Sequence, residues 1–358
     1  MMNFTKVWLS VYASLCYCYY IGRIIPSGKM RLMTILPIVC LFLILPLNLS
    51  TIHLGGTTGF FIAWLANFKL LLYSFGQGPL SSDPSISLGR FISIACLPIK
   101  IQQDDPPPNR KNKENPSPEK TQKASKSPLN YAIKGLLLAL LMRSYDYSQY
   151  IHPKIILFLY CFHVYFSLEI MLAMIAALAR VLLKLELEPQ FDDPYLSTSL
   201  QDFWGRRWNL MVTSILRPTV YDPIRSFFMG MLGRRYSQLP AVVGTFVVSG
   251  VMHELIFFYF GRVEPTWEIT FFFILHGVCL AVEIAVKKTL PGKWRLPGLV
   301  SGPLAIAFVI ITAFWLFFPQ FLRCNADVRA FGEFAAVLEF AKDLGRSFRF
   351  GSPKVMSA

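Results

Sequence analysis

The sequence has few charged residues for its length. Asp, Glu, Lys and Arg make up 16% of its 358 residues, whereas an ordinary soluble domain carries about 25%. Hydrophobic residues make up 54%. This composition argues against an ordinary soluble enzyme and indicates a polytopic membrane protein, because so little charge cannot cover so much apolar surface.

Disulfide and metal-binding patterns are also missing. The seven cysteines include no CxxC pair, and their odd number in a long chain argues against a disulfide framework. The five histidines form neither an HxxxH nor an HExxH pair, the spacings that place two metal ligands on one helix face. The sequence therefore predicts no metal site and no cofactor, and it disfavours iron enzymes built on histidine boxes.

Acidic residues are scarce relative to basic ones. The chain has 21 Asp and Glu against 35 Lys and Arg, a formal charge of +14. No nucleic-acid recognition motif accompanies this charge. The Lys and Arg residues fall mostly between apolar runs, as in the cytosolic loops of membrane proteins. The expected partners are therefore membrane lipids and an anionic substrate rather than nucleic acid.

Long apolar runs are the main feature that the sequence does contain. They lack the alternation of barrel strands and have roughly the length that a membrane-crossing helix needs. They predict an all-α fold with about eight transmembrane helices in a single membrane-embedded domain, residues 1–358. The runs are Val7–Ile21, Leu32–Leu47, Gly59–Phe75, Leu129–Met142, Ile155–Leu183, Pro240–Phe260, Glu268–Val286 and Pro297–Phe318.

Two polar stretches set the expected topology. Gln103–Pro128 contains six prolines, six Lys or Arg and no aromatic residue, which predicts a disordered cytosolic loop. Lys184–Leu239, with seven Lys and Arg, is also expected in the cytosol. If both stretches face the cytosol, two crossings must separate them. One is Ile155–Leu183, so the short run Leu129–Met142 is counted as the other, although a re-entrant helix remains an alternative for it.

The most unusual ionisable residues are His253 and Glu254, at the centre of an apolar run. An ionisable group at mid-depth in a membrane is costly and is by default a functional candidate. Adjacent residues on a helix diverge by about 100°. We therefore expect one of the two side chains to face a cavity and the other to face a protein partner.

His276 lies in the following run, as far beyond the intervening turn as His253 lies before it. If the two helices form an antiparallel hairpin, both histidines lie at similar depth, which permits one active site or a metal pair. Glu283 lies two turns after His276 on the same face and is a candidate to orient its ring.

A second polar constellation is "FWGRRWN", Phe203–Asn209. Aromatic residues with arginines suit a membrane interface. The functional alternative is that Asn209 donates a hydrogen bond in a catalytic site while Arg206 and Arg207 meet an anionic head group.

These two stretches together resemble the membrane-bound O-acyltransferase superfamily. Its sterol and diacylglycerol branch carries an aromatic motif ending in Trp-Trp-Asn, followed by a histidine inside an apolar helix. Phe203, Trp208 and Asn209 match the first motif, and His253 with Glu254 matches the second. Three residues depart from the superfamily pattern: Arg206, Arg207 and Leu255. These departures concern which acceptor the protein uses and not which class of reaction it catalyses.

More closely, the chain resembles the plant wax synthase family over nearly its whole length. The stretches that carry this resemblance are "WLANFKLLLYSFGQGPL", "YCFHVYF", "EPQFDDPYLSTSLQDFWGRRWNLMV" and "ILHGVCLAVE". A plant sterol O-acyltransferase belongs to the same group, so the acceptor stays open between a fatty alcohol and a sterol.

The resemblance implies an acyl-CoA-dependent O-acyltransferase in the endoplasmic reticulum membrane, with a helical bundle enclosing a catalytic tunnel. His253 would be the general base and Asn209 the hydrogen-bond donor, with Glu254, His276 and Trp208 in support and Arg206 and Arg207 binding acyl-CoA. Fatty acyl-CoA and a lipid alcohol would be the substrates, with self-association left open. The main alternative is a proton-coupled transporter, which also places His and Glu in membrane helices but is expected to show internal repeats; none is evident.

Overall fold

The computed structural model describes residues 2–98, 127–184, 187–289 and 296–350, which form helices joined by short connections without a β-sheet. The predicted loop Gln103–Pro128 lies outside these residues apart from its last two. Ser127 caps the next helix through a hydrogen bond from the Leu129 N–H, and Pro128 is its first residue. The described part of the chain thus confirms the predicted all-α fold.

The first quarter of the chain forms five helices. The third continues through a π-helical stretch, Phe60–Ala66, directly into the fourth. These helices are α1 (Met2–Ile24), α2 (Lys29–Ile44, extended by a 3₁₀ turn Leu45–Asn48), α3 (Ile52–Gly59), α4 (Asn67–Ser74) and α5 (Leu88–Cys96).

The middle of the chain contains two apolar helices and an irregular polar segment. The helices are α6 (Pro128–Ser144) and α7 (Pro153–Leu183). The segment is built from α8 (Leu200–Asp202), a π-helical turn Phe203–Arg207, α9 (Leu210–Leu216), a second π-helical turn Arg217–Tyr221 and α10 (Asp222–Tyr236).

The last third is again helical. Its elements are α11 (Gln238–Gly261), α12 (Glu268–Thr289), α13 (Gly298–Thr312), a π-helical turn Ala313–Phe317, α14 (Phe318–Arg323) and α15 (Ala326–Phe350). Each of the eight predicted apolar runs lies in helical structure.

Among the residues that the structure describes, five helical segments are long and apolar enough to cross a membrane by themselves. They are Lys29–Asn48, Pro153–Leu183, Gln238–Gly261, Glu268–Thr289 and Gly298–Arg323. The protein is therefore a multi-pass membrane protein. A count of about eight crossings additionally needs α1, the continuous α3–α4 segment and the 17-residue α6, and it stays a prediction.

The largest core lies where the N-terminal helices meet α9 and α11. Trp64, Leu70, Met211 and Ile256 are buried there in one cluster. Lys69 is buried beside it, and its Nζ donates to the carbonyl oxygens of Ile94 (2.7 Å) and Leu97 (2.8 Å) at the end of α5. These bonds satisfy terminal carbonyls that the helix leaves free, so the lysine fixes α5 against α4.

The C-terminal helix α15 closes one end of the bundle. The Glu333 carboxylate accepts hydrogen bonds from the backbone N–H groups of Ile52 and His53 at the start of α3. The Arg329 guanidinium donates to the carbonyl oxygens of Ser50 and Phe260. A single helix thus holds together the beginning of α3 and the end of α11.

Candidate active site

His253 lies in the middle of α11, which packs against α12 as the predicted hairpin. Its Nδ1 lies 2.7 Å from the carbonyl oxygen of Ser249, one turn earlier. A carbonyl oxygen only accepts, so Nδ1 carries the proton and the Nε2 lone pair remains available. The imidazole stacks on Phe273 at 4.2 Å between ring centroids and meets the edge of Trp64 at 4.9 Å. The ring is therefore fixed in orientation and in tautomer, as a general base requires.

Glu254 faces the neighbouring helix instead. Its side chain is buried, and Oε1 accepts a hydrogen bond from the Thr270 N–H at 3.2 Å. Thr270 is in the first turn of α12, where unpaired N–H groups and the helix dipole favour a negative charge. Glu254 thus anchors the start of α12, and it sets the position of Phe273 one turn further on.

Close helix packing accompanies this anchor. A Cβ atom added to Gly250 would lie 3.0 Å from the Thr270 Cα, so only glycine lets the two backbones approach this closely. Glu254 is thus the residue of the pair that faces a protein partner, whereas the ring of His253 packs against Phe273 of α12 and Trp64. That His253 faces a cavity stays a prediction.

His276 is fully buried and both of its ring nitrogens are occupied. Nδ1 lies 3.1 Å from Nε1 of Trp204, and Nε2 lies 2.8 Å from Oγ1 of Thr312. An indole N–H only donates, so Nδ1 accepts and Nε2 donates to Thr312. The Thr312 hydroxyl in turn donates to the Phe308 carbonyl at 2.7 Å. His276 therefore holds Trp204 and α13 in place and has no free lone pair for proton transfer.

The suggested role of Glu283 was wrong. Its carboxylate accepts hydrogen bonds from the N–H groups of Leu200 (3.0 Å) and Gln201 (3.4 Å), and Lys287 pairs with it. Glu283 therefore stabilises the start of α8 rather than the ring of His276.

Asn209 begins α9 in a left-handed backbone conformation, with φ of 40°. Asparagine tolerates this conformation better than most residues. Its Oδ1 accepts from the Val212 N–H at 3.3 Å, which caps the helix. Since Oδ1 serves the cap, the Nδ2 group is the part of this side chain that can donate to a ligand.

Aromatic contacts connect the Asn209 segment with His253. Trp208 stacks on Phe203 at 5.4 Å, and Trp204 lies 6.2 Å from Trp208. Trp204 also contacts Phe273 at 5.9 Å, the ring on which His253 stacks. The π-helical turn that carries Trp204 and the π-helical stretch that carries Trp64 therefore both reach the surroundings of His253. Such irregular turns are frequent at functional sites.

The two adjacent arginines have different environments. Arg207 pairs with Asp202 at 2.9 Å and donates to the Asp192 carbonyl oxygen at 3.0 Å. Burial alone would raise the pKa of Asp202, but hydrogen bonds from Arg207 and from the Thr198 N–H lower that pKa below its ordinary value. Arg206 is exposed. Arg207 thus holds the π-helical turn Phe203–Arg207 against Asp192 and Asp202, whereas the side chain of Arg206 is exposed at the surface.

Lys134 and Glu169 form a buried ion pair that we did not predict. Lys134 Nζ lies 2.8 Å from both carboxylate oxygens of Glu169 and 3.2 Å from Asp193 Oδ1. The pair joins α6, α7 and the segment before Phe203. Opposite charges within two apolar runs were the available signal, but the sequence does not show which charges meet.

The sequence profile of the membrane-bound O-acyl transferase family matches residues 187–275, which contain Asn209 and His253. The acyl-CoA–sterol O-acyltransferase 1 of Arabidopsis thaliana is 50% identical over 347 residues, covering 97% of this chain and 98% of the relative. The chain belongs to the membrane-bound O-acyltransferase superfamily.

Further relatives place this family member among the wax synthases. The long-chain-alcohol O-fatty-acyltransferase of Simmondsia chinensis is 45% identical over 341 residues, 95% of each chain. A probable long-chain-alcohol O-fatty-acyltransferase 1 of Arabidopsis thaliana is 46% identical over 342 residues, 95% of this chain and 97% of the relative. The resemblance inferred from the motifs is thereby confirmed, and the protein is an O-acyltransferase of the wax synthase family.

Proposed function

We propose that this acyltransferase moves a fatty acyl group from acyl-CoA to a long-chain alcohol and so forms a wax ester. The observation that carries the proposal is the fixed Nδ1–H tautomer of His253, which presents a basic Nε2 within an apolar helix. The names of the two long-chain-alcohol acyltransferases support the choice of acceptor. About eight crossings would enclose the reaction in a tunnel within the endoplasmic reticulum membrane.

The chemistry follows from the groups at the site. Nε2 of His253 takes the hydroxyl proton as the alcohol oxygen attacks the thioester carbonyl. The developing oxyanion is stabilised by the Nδ2–H group of Asn209. Collapse of the tetrahedral intermediate breaks the C–S bond, and the His253 imidazolium returns the proton to the CoA thiolate. A thioester is already activated, so the reaction needs no cofactor or metal.

A sterol is the second candidate acceptor. The 50% identity with a sterol acyltransferase extends over nearly all of both chains, so this alternative has direct support. Expression in yeast lacking its neutral-lipid acyltransferases, fed with either a fatty alcohol or a sterol, distinguishes the two. Wax esters are expected to accumulate. Sterol esters alone would shift the proposal to the second acceptor, and the absence of both esters would refute both acceptors.

Replacing Asn209 with Ala is expected to lower turnover by about 10²–10³-fold, the effect of removing one oxyanion donor. The KM for acyl-CoA should change little, because this bond strengthens only in the transition state. Asn209→Asp is the matched variant, since a carboxylate oxygen can still cap α9 but has no N–H to donate. Steady-state kinetics of both variants should show the same loss; near-normal turnover in Asn209→Asp would refute the oxyanion role.

Replacing Arg206 with Gln is expected to raise the KM for acyl-CoA several-fold at low ionic strength, with a smaller effect at high salt. The KM for the alcohol should remain unchanged. This assumes that Arg206 faces the cytosol, where the soluble, charged CoA head group is located.

Arg207→Gln is the comparison, because Arg207 is bound to Asp202 and to backbone carbonyls. Its loss should lower stability and affect both substrates. If Arg206→Gln also affects both substrates equally at every salt concentration, Arg206 anchors the loop at lipid head groups instead of binding acyl-CoA.

A further inference from the structure

A cavity of about 410 Å³ opens at the end of α11, apart from the residues assigned to catalysis or acyl-CoA binding. Four parts of the chain surround it: the first turn of α1, the 3₁₀ turn after α2 with the residues that follow it, the end of α11, and α15. The polar residues among those that line it are Asn3, Asn48, Ser50, Tyr259, Arg262 and Arg329.

The lining carries two positive charges that no carboxylate neutralises. Arg262 and Arg329 line the cavity, whereas no Asp or Glu is among the described residues that do. The ion pairs found within the described part of the chain include neither arginine. Arg262 is exposed and Arg329 is half-buried, so a ligand can reach both. Two accessible cations without an acidic neighbour favour an anionic ligand.

Neutral partners hold the two guanidinium groups in place. Nη2 of Arg262 donates to the carbonyl oxygens of Pro46 (3.1 Å) and Leu49 (3.0 Å). Arg329 donates through Nη1 and Nη2 to the two backbone carbonyl oxygens described above. Carbonyl oxygens orient a guanidinium group but leave its charge uncompensated. Nε and Nη1 of Arg262, and Nε of Arg329, donate to no other described residue, so these N–H groups remain for a ligand.

The two arginines also lie close enough to repel each other. Burial is the main factor that lowers the pKa of Arg262 below its ordinary value, and the positive charge of Arg329 lowers that pKa further. An anion between the two guanidinium groups would be attracted by both. The forked N–H groups of arginine match the oxygen atoms of a phosphate group particularly well.

The cavity lies at the ends of two segments that are long and apolar enough to cross a membrane. Arg262 directly follows the segment Gln238–Gly261, and Asn48 is the last residue of the segment Lys29–Asn48. The head groups of lipids surround a protein at this depth. His253 lies nine residues before Arg262, roughly 14 Å along the helix axis at 1.5 Å per residue. The cavity is therefore separate from the proposed general base.

We propose that this cavity binds a phosphate group, which Arg262 and Arg329 contact through their guanidinium groups. A membrane lipid and free phosphate both carry this group. The position of the cavity at the ends of two membrane-crossing segments favours the lipid. The proposal does not depend on the acyltransferase function.

Binding is measured on the full-length protein, purified in a phosphate-free detergent and buffer of low ionic strength. The radiolabelled probes are dioleoyl phosphatidic acid, dioleoylglycerol, which lacks the phosphate, and inorganic phosphate. Phosphatidic acid should bind more tightly than dioleoylglycerol, and added salt should weaken its binding. Arg262→Gln should weaken phosphatidic acid binding about tenfold, the effect of losing charge-assisted hydrogen bonds, and leave dioleoylglycerol binding unchanged. Inorganic phosphate bound as tightly as phosphatidic acid would identify free phosphate as the ligand; much weaker binding would identify the lipid.

Two further variants complete the test. Arg323→Gln is the matched control, because Arg323 lies near the turn between α11 and α12 but pairs with Glu268 and does not line the cavity. It should bind phosphatidic acid normally. Asn48→Asp keeps both arginines and adds a carboxylate to the lining, so it should weaken phosphatidic acid binding. Asn48 is exposed, and its side chain donates only to the Leu45 carbonyl oxygen, so this variant should fold.

Equal binding of phosphatidic acid by the unaltered protein, Arg262→Gln and Asn48→Asp would overturn the proposal. If Arg262→Gln does not fold, Asn48→Asp decides alone. The KM for acyl-CoA of Arg262→Gln should be normal in the same detergent. A several-fold rise in that KM would assign the phosphates of CoA to this cavity and overturn its assignment as a separate site.

Discussion

Replacing His253 with Ala is expected to lower ester formation by about 10²–10⁴-fold, the contribution of a general base. The Nδ1–H bond to Ser249 lies within one helix turn, so its loss should leave α11 intact. The measurement is turnover of radiolabelled acyl-CoA by purified protein, with thermal unfolding in detergent as a check on folding. Added imidazole should restore part of the activity, because the space between Phe273 and Trp64 would accept a free ring.

His163→Ala is the matched control for this experiment. His163 also lies in an apolar helix and stacks on Tyr145 at 5.6 Å, but it does not contact the residues around His253. Its replacement should leave turnover largely unchanged. Turnover within a few-fold of normal in His253→Ala would remove the histidine from the mechanism.

Of the substitutions proposed for this protein, Lys134→Met should cause the largest loss in the free energy of unfolding, about 3–5 kcal/mol. The side chains of Lys134 and Glu169 are 5% and 4% exposed, so the substitution leaves a buried carboxylate without its main cation. The double variant Lys134→Met, Glu169→Leu should recover much of the loss, because it removes both charges. Equilibrium unfolding in detergent measures both effects.

Arg143 provides the control within the same helix. It pairs with Asp146, but its side chain is 73% exposed, and exposed pairs contribute little. Arg143→Gln should therefore leave the unfolding transition nearly unchanged. A Lys134→Met variant as stable as Arg143→Gln would show that the buried pair does not hold α6 against α7.

Much of the helical framework could be predicted from the sequence, because apolar runs of membrane length have few other structures available. The divergence of His253 and Glu254 follows from the helix repeat alone. Both conclusions depend on local patterns, which the amino-acid order contains directly.

The partners of buried polar groups could not be predicted in this way. Glu283 was expected near His276 because both lie on one helix face, yet Leu200 and Gln201, about 80 positions earlier in the chain, take its carboxylate. The hydrogen bond from Trp204 to His276 likewise depends on how the π-helical turn packs on α12. Such pairings depend on tertiary packing and side-chain rotamers, which periodicity does not encode.

The contacts of α15 have a consequence for the order in which the molecule is completed during synthesis. Glu333 and Arg329 belong to a helix that leaves the ribosome after α3 and α11, yet they bind backbone groups at the start of α3 and the end of α11. Until α15 emerges, the Ile52 and His53 N–H groups lack their carboxylate partner, and the Phe260 carbonyl oxygen at the end of α11 lacks its hydrogen bond from Arg329. A chain that stops before Ala326 would therefore lack the hydrogen bonds that join the start of α3 to the end of α11.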